Sequence, residues 1–190
     1  MKTFSYALPI PTQDGEFIAW YSEKGLCRLQ FPSQTKRDKP NLSEAPVPVN
    51  VHRWHKAAVK ALARALAGQA EQKLPPLDLS AGTDFQQRVW AVLRQIKPGR
   101  TWSYGQVAQA VGNPSAVRAV GGACGANPIP VLVPCHRVVT ANQGLGGFSG
   151  GLNWKRALLK REGSARCRSA LSRGGWGRGC DHLAIDLPED

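Results

Sequence analysis

Val131-Leu132-Val133-Pro134-Cys135-His136-Arg137-Val138-Val139 is the stretch from which the rest of this chain is best understood. Its first three residues predict an apolar strand that ends at a proline. Cys135 and His136 follow directly, and a cysteine nucleophile needs a thiolate, a base within reach and a rigid mount. A buried structural cysteine is the alternative, because cysteine is a common core residue and neighbours on an extended chain point to opposite faces.

The composition is that of a globular protein, and we expect an intracellular one, in the cytoplasm or nucleus. The 190 residues suffice for one large domain or two small ones. We find neither the apolar core of a secretion signal in the first residues nor a stretch long enough to span a membrane. The five cysteines include no Cys-x-x-Cys pair, which argues against a disulfide framework and favours a reducing compartment.

The positive charge is concentrated in one part of the chain. Residues 81–163 carry ten Lys and Arg against two Asp and Glu, which gives +8 of the total +12; residues 1–80 carry +4 and residues 164–190 are neutral. A basic face attracts polyanions, most often nucleic acid. A solvated basic surface without a specific ligand is the alternative.

Residues 1–80 predict an N-terminal α/β domain. Strands at 16–22 and 26–31 flank a turn and indicate a small antiparallel sheet. After a loop at 32–50, residues 51–67 predict one amphipathic helix, and the domain boundary is placed in the connection at 69–82. The inward face of that helix is predicted to hold Trp54, Ala58, Ala61, Leu62, Ala65 and Leu66.

Residues 81–163 predict a mostly helical domain, so that the whole chain is of the α+β class. Thr83 with Gln86 and Ser103 with Gln106 have capping-box spacing; the first helix is predicted to run until Pro98 and the second to place Val107, Ala108 and Val111 inward.

A third helix is predicted at residues 115–124, with Asn113 as its cap and Pro114 at its first position. Together with the preceding short helix it makes a helix-turn-helix pattern. Arg118 is the only charged residue of this helix; the others are small. Small side chains allow a close approach to a narrow groove, and one cation can enter the base stack. A plain pair of core helices is the alternative.

A glycine-rich loop and a last helix complete the segment. Residues 144–151 contain five glycines, which suits either close contact with a ligand or an exposed hairpin loop. The predicted helix 152–161 ends at Glu162, one of only two acids in residues 81–163 and therefore the natural partner for His136. A carboxylate that orients an imidazole, which in turn activates a thiol, is the arrangement of an activated nucleophile.

Residues 127–139 resemble the active-site signature of the O6-alkylguanine-DNA alkyltransferases. The resemblance extends over residues 83–163 and includes Tyr104-Gly105-Gln106, Arg118-Ala119-Val120-Gly121-Gly122 and Ser149-Gly150-Gly151. Residues 1–80 resemble the N-terminal domain of that family only in outline.

The resemblance implies a role for each matching residue. Cys135 accepts the alkyl group, His136 removes the thiol proton through a bound water, and Glu162 polarises His136. Asn127 braces the active-site turn, and Tyr104 hydrogen-bonds the flipped guanine. The remaining positions contact the base or the DNA. The backbone at Val138 and Ser149 reads the guanine edge, and Phe148 stands where a tyrosine is frequent. Arg118 fills the hole in the duplex, and Ser115 and Ala119 lie on the DNA-facing helix. Cys124-Gly125 replaces a bulkier, basic pair.

The implied activity is DNA repair by single, irreversible alkyl transfer, because the thioether product resists hydrolysis. The expected partner is double-stranded DNA containing O6-alkylguanine, with no membrane, no cofactor and a monomeric protein. Some relatives hold a structural zinc; Cys27, His52 and His55 are the only local candidates and lack a fourth ligand, so no metal is expected. The tail at 164–190 is expected to be disordered.

Two other functions are compatible with parts of the pattern. An alkyltransferase-like protein recognises lesions without reacting, but those relatives lack the cysteine at this position. A cysteine hydrolase would use Cys135, His136 and Glu162 to turn over peptides or esters, and it leaves the basic segment and the helix-turn-helix pattern unexplained.

Overall fold

The computed structural model describes residues 6–32, 46–70, 73–142 and 144–164 and has the predicted α+β architecture. Its N-terminal part is an antiparallel sheet in the order β1-β2-β3. The predicted hairpin is confirmed, because Ser22 pairs with Gly25 and Ile18 with Gln30. The strands are β1 (Tyr6–Thr12), β2 (Gly15–Ser22) and β3 (Gly25–Gln30).

Helix α1 (Val49–Leu66) contacts all three strands and begins two residues before the predicted start. Its inward face is as predicted apart from Trp54, which is only partly buried at the edge of the core. Gly68 follows the helix with φ of 73°, a left-handed conformation that glycine adopts without strain. The predicted residues that are buried are Ala58, Ala61, Leu62, Ala65 and Leu66.

The second part of the chain is mostly helical, as predicted, and both capping boxes are present. The first helix ends at Leu93, earlier than the predicted end at Pro98, because the Gln95 and Ile96 amides turn back to carbonyls three residues away. Ile96 is nevertheless buried. The elements are α2 (Asp84–Leu93), β4 (Trp102–Ser103), α3 (Tyr104–Ala110), α4 (Val117–Gly125), β5 (Val138–Val139) and α5 (Leu152–Arg161).

The predicted start of the third helix is wrong. Helix α4 begins at Val117, its N-cap is Ala116, and no side chain caps it. The hydroxyl of Ser115 donates to the side-chain oxygen of Asn113 at 2.8 Å, and the Ala116 amide donates to the Asn113 carbonyl at 3.0 Å. These bonds hold residues 113–116 as a turn, so the Asn113 side chain is engaged before it can cap a helix.

The strand predicted at residues 131–133 is also wrong, because these residues form a tight turn. Val131 has φ of 73° and is the one non-glycine residue with positive φ among those described. The Val133 amide donates to the Ile129 carbonyl at 2.9 Å and closes the turn. The prolines at 128, 130 and 134 have no amide hydrogen, so this stretch is poorly suited to a strand ladder. A 3-10 helix, Cys135–Arg137, follows directly.

The two predicted domains share one continuous cluster of buried side chains. The Trp90 indole donates to the Ala123 carbonyl at 2.8 Å and joins α2 to α4. Arg161 and Asp14 pair across the two halves at 2.6 Å. The domain boundary near residue 80 stays a prediction.

The predicted tail lies almost entirely outside the described residues. Ser164, its first residue, is buried, and its amide donates to the Leu159 carbonyl at 3.1 Å. Within the part of the chain that the structure describes, none of the helices combines the length and apolar character needed to cross a membrane.

Candidate active site

The site is organised around the side-chain amide of Asn127, which is buried. Its nitrogen donates to the Val133 carbonyl at 2.7 Å and to the Cys135 sulfur at 3.1 Å. Its oxygen accepts from the Ile129 amide at 3.0 Å. One amide therefore joins both sides of the turn to the sulfur that follows it.

Cys135 is only 3 % exposed. Burial raises the pKa of its thiol, while the Asn127 hydrogen bond and the positive charge of Lys155 act in the opposite direction. The net pKa lies above the ordinary value, so the thiol is protonated at neutral pH in this arrangement. The thiol proton therefore has to be removed before the sulfur can act as a nucleophile.

His136 and Glu162 form a buried pair, as predicted. His136 Nε2 lies 2.8 Å from Glu162 Oε1, and both side chains are 1 % exposed. Burial lowers the pKa of His136, although Glu162 partly opposes this effect. The imidazole is therefore neutral at pH 7, with its proton on Nε2 facing the carboxylate. Among the described groups none hydrogen-bonds His136 Nδ1, and this unprotonated nitrogen is free to act as a base.

Arg137 is a member of the site that the sequence analysis did not assign a role. Its guanidinium is buried and donates to Glu162 at 2.9 Å and to the Ile96 carbonyl at 2.6 Å. The Gly99 amide adds a bond to Glu162 Oε2 at 3.3 Å. Burial alone opposes ionisation of Glu162, but His136 and Arg137 outweigh it and lower its pKa to about 2. The carboxylate is therefore ionised at every physiological pH.

Lys155 is the second residue that sequence reasoning missed. It lies on the inward face of α5 with no exposed surface, and its ammonium donates to the carbonyls of Val138 at 2.7 Å and Gly147 at 3.2 Å. Burial lowers its pKa to about 8. Its position three residues before Leu158, on the apolar side of the helix, was the available signal.

Tyr104 and Phe148 lie around the same site. Tyr104 is half-buried, and burial raises the pKa of its hydroxyl, while the Gly147 amide hydrogen-bonds it. A β-carbon at Gly146 would lie 2.6 Å from that hydroxyl, so the loop passes close to Tyr104 only because glycine stands there. The Phe148 ring stands edge-on to His136 with centroids 6.3 Å apart.

The exposed face of α4 and the turn before it carry the predicted DNA-facing residues. Ser115, Arg118 and Ala119 are exposed, and Val117 beside them is 41 % exposed. The opposite face packs into the core through Val120, Ala123 and Cys124. The backbone amide of Asn127 donates to the Cys124 carbonyl at 3.4 Å, so the C-terminal end of α4 leads directly into the active-site turn.

The remaining predicted base-reading positions lie on β5 and the glycine-rich loop. Val138 is buried, and its carbonyl accepts from Lys155; Ser149 is exposed.

The zinc candidates of the N-terminal half have other contacts. The Tyr21 hydroxyl and His55 Nδ1 lie 3.1 Å apart, His52 is exposed, and the Cys27 thiol donates to the Trp20 carbonyl at 3.2 Å. Across the described ranges, three or more His, Cys, Asp or Glu side chains nowhere come together as a metal site would require.

Comparison with known proteins places residues 84–164 in the family model described as 6-O-methylguanine DNA methyltransferase, DNA binding domain. A methylated-DNA–protein-cysteine methyltransferase of Mycobacterium tuberculosis is 52% identical over 107 residues, which cover 56% of this chain and 64% of that protein. The match thus spans slightly less than two thirds of the relative. The bifunctional transcriptional activator/DNA repair enzyme Ada of Escherichia coli is 36% identical over 78% of this chain and 42% of its own length.

Solved structures extend the likeness to both halves of the fold. The crystal structure of Mycobacterium tuberculosis OGT in complex with DNA matches with a TM-score of 0.68 and 40% identity, over 83% of this chain and 94% of that one. The O6-methylguanine-DNA methyltransferase of Pyrococcus kodakaraensis matches with a TM-score of 0.55 and 28% identity, over 83% of this chain and 98% of that one. Because this similarity covers nearly the whole of a 40% identical structure, the chain belongs to the O6-methylguanine-DNA methyltransferase family.

Proposed function

We propose that this protein repairs DNA by moving the alkyl group from the O6 atom of guanine to the sulfur of Cys135, once per molecule. The observation that carries the proposal is that Asn127 holds the sulfur of Cys135, the residue directly before His136, and that His136 is paired with the buried Glu162. Family membership supports the same chemistry, since relatives are named as methyltransferases that act on methylated DNA.

The proton path follows from the tautomer of His136. Glu162 is ionised and holds the proton on Nε2, so Nδ1 receives the thiol proton, through a bridging water according to the family resemblance. The resulting imidazolium is stabilised by the carboxylate that it faces. The hydrogen bonds from Arg137 keep Glu162 in one orientation during this transfer.

The sulfur then attacks the alkyl carbon, the carbon–oxygen bond breaks, and its electron pair leaves with guanine. The Asn127 amide and the Lys155 charge stabilise the sulfur while it is negative. We propose that Tyr104 donates a hydrogen bond to the departing base and stabilises the negative charge that develops on it, and that the proton taken up by His136 then neutralises the guanine anion. The products are guanine and a thioether on Cys135, and because a thioether does not hydrolyse the protein acts once.

The O6 atom of guanine lies inside the duplex, so the nucleotide has to be rotated out at a cost of a few kcal/mol. The exposed face of α4 suits a close approach to the minor groove, because its side chains are small apart from Arg118. We propose that Arg118 occupies the space left by the extruded base. The excess of basic residues in 81–163 supplies general attraction to the phosphates.

Intact-mass measurement after mixing with an oligonucleotide that contains O6-benzylguanine tests the proposal. We expect one added benzyl group, located on Cys135, and no addition in Cys135→Ala. Cys124→Ala is the matched control, since Cys124 is also a buried thiol of this segment, and it should still be alkylated. DNA binding without a mass change would identify a lesion-binding protein instead, and repeated release of product would identify a hydrolase.

Glu162→Gln should slow the transfer about tenfold to hundredfold, because His136 Nδ1 becomes a weaker base. In the wild type the Glu162 pKa of about 2 means that this carboxylate causes no change of rate between pH 5 and 9. The raised pKa of Cys135 predicts a rate that rises with pH above neutrality, whereas His136, with its lowered pKa, is already neutral there and adds no further change.

The pH–rate profile of the folded Glu162→Gln variant is the measurement, with circular dichroism as the check on folding. Asp14→Asn is the control, because it removes a carboxylate from the more exposed Arg161 pair. A wild-type rate and profile in Glu162→Gln would remove Glu162 from the mechanism.

Arg118→Ala should reduce the rate of transfer from duplex DNA by about tenfold. This loss corresponds to a small part of the free energy needed to keep a base extruded. Transfer from free O6-benzylguanine should change little, since no duplex is opened. Arg94→Ala removes another exposed cation of the same segment and controls for the general loss of phosphate attraction; its effect on duplex transfer should be smaller than that of Arg118→Ala. Equal losses on duplex and free base in Arg118→Ala would refute the space-filling role.

A further inference from the structure

The C-terminal end of β3 and the residue after it belong to the N-terminal half of the chain, yet they contact both segments that border the active site. These segments are the turn before Cys135 and the glycine-rich loop. The Leu29 amide donates to the Pro128 carbonyl at 2.9 Å. Pro128 directly follows Asn127, so this bond ties the sheet to the turn that carries Cys135. The neighbouring Phe31 reaches the other segment, the glycine-rich loop.

Phe31 is fully buried, and its ring lies directly under that loop. A β-carbon at Gly150 would lie 2.5 Å from the Phe31 ring, so only glycine permits so close a passage. The Phe31 and Phe148 ring centroids are 5.7 Å apart, and Phe148 in turn stands edge-on to His136. A continuous series of ring contacts thus leads from the sheet to the base of the mechanism.

We infer that residues 29–31, here called the β3 clamp, form a positioning element for alkyl transfer, with Phe31 as the residue that holds the glycine-rich loop closed against the base. The inference rests on the proposed function of the site. It concerns the N-terminal half of the chain, to which the proposed mechanism assigns no role.

The physical reason is the composition of the loop. Five glycines in residues 144–151 give the free loop many conformations, and only a few place Phe148 and the backbone near Ser149 correctly. If the competent conformation is populated only in part, apparent affinity for the base falls by the same fraction. The Phe31 ring restricts the loop by contact, without touching the reacting atoms.

Phe17 provides a matched control for loss of core packing. It is also fully buried, and its ring packs against Phe31 at 5.4 Å and Trp154 at 5.5 Å. Phe17→Leu and Phe31→Leu remove the same atoms from the same aromatic cluster. A purely structural role for Phe31 predicts the same outcome for both variants.

The first experiment compares Phe31→Leu with Phe17→Leu at a temperature where both are folded, using free O6-benzylguanine and amide hydrogen exchange. In Phe31→Leu we expect the half-saturating base concentration to rise about tenfold, with a smaller change in the limiting rate and faster exchange in residues 144–151. In Phe17→Leu both the saturation curve and loop exchange should change less than in Phe31→Leu, because Phe17 packs on Phe31 and Trp154 rather than on Phe148.

A second experiment tests the contact directly. Gly150→Ala introduces the β-carbon that meets the Phe31 ring, so it should weaken binding of the free base. Adding Phe31→Leu should recover part of that loss, because the shorter side chain makes room.

Equal effects of Phe31→Leu and Phe17→Leu on saturation and on loop exchange would overturn the inference, as would a Gly150→Ala defect that Phe31→Leu deepens. If the wild type takes up no alkyl group, the proposed function fails. Loop exchange in the two leucine variants then still decides whether the clamp holds the loop.

Discussion

The Asn127 side chain is the contact on which the rest of the site depends. The turn after it contains three prolines and a valine with positive φ, so it lacks the regular backbone hydrogen bonds that hold a strand or helix. The amide supplies the missing partners for the Val133 carbonyl and the Ile129 amide. A buried polar group without a partner costs about 1–3 kcal/mol. The same amide also contacts the Cys135 sulfur, so the fold of the turn and the position of the proposed nucleophile have one origin.

Around this turn, the buried charged side chains are paired with opposite charges or with hydrogen-bonding backbone carbonyls. Glu162 is held by His136 and Arg137, and Lys155 is held by carbonyls of β5 and the glycine-rich loop. The thiol and the imidazole are both neutral in the resting state, because burial disfavours their charged forms. The site is therefore arranged to receive charge during the proposed transfer, with the compensating groups already in place.

Sequence reasoning succeeded where structure depends on local pattern. The two capping boxes and the inward face of α1 follow from spacing alone, and the Pro-Cys-His-Arg run led to the family. It failed at residues 131–133, where apolar and β-branched composition favours a strand but the side chain of Asn127 stabilises a turn. The start of α4 was misplaced because Asn113 bonds to its own turn.

The remaining omissions have a common physical cause. Arg137 and Lys155 are charged residues, which are usually expected on the protein surface. In this structure each is buried together with its hydrogen-bond partners. The contacts of Leu29 and Phe31 join segments about a hundred residues apart, which no local pattern reveals. The family and the residues proposed for the chemistry were thus identified from the sequence, while the groups that hold them in place required the fold.

The rate of alkyl transfer from free O6-benzylguanine to Cys135 in an Asn127→Ala variant tests this account most directly. Removing the amide deprives the turn of its brace and the sulfur of a hydrogen-bond donor. The account predicts a loss of about hundredfold, the equivalent of a hydrogen bond of 2–3 kcal/mol to a charged group, in protein that circular dichroism shows to be folded. A folded Asn127→Ala protein that reacts at the wild-type rate would contradict it.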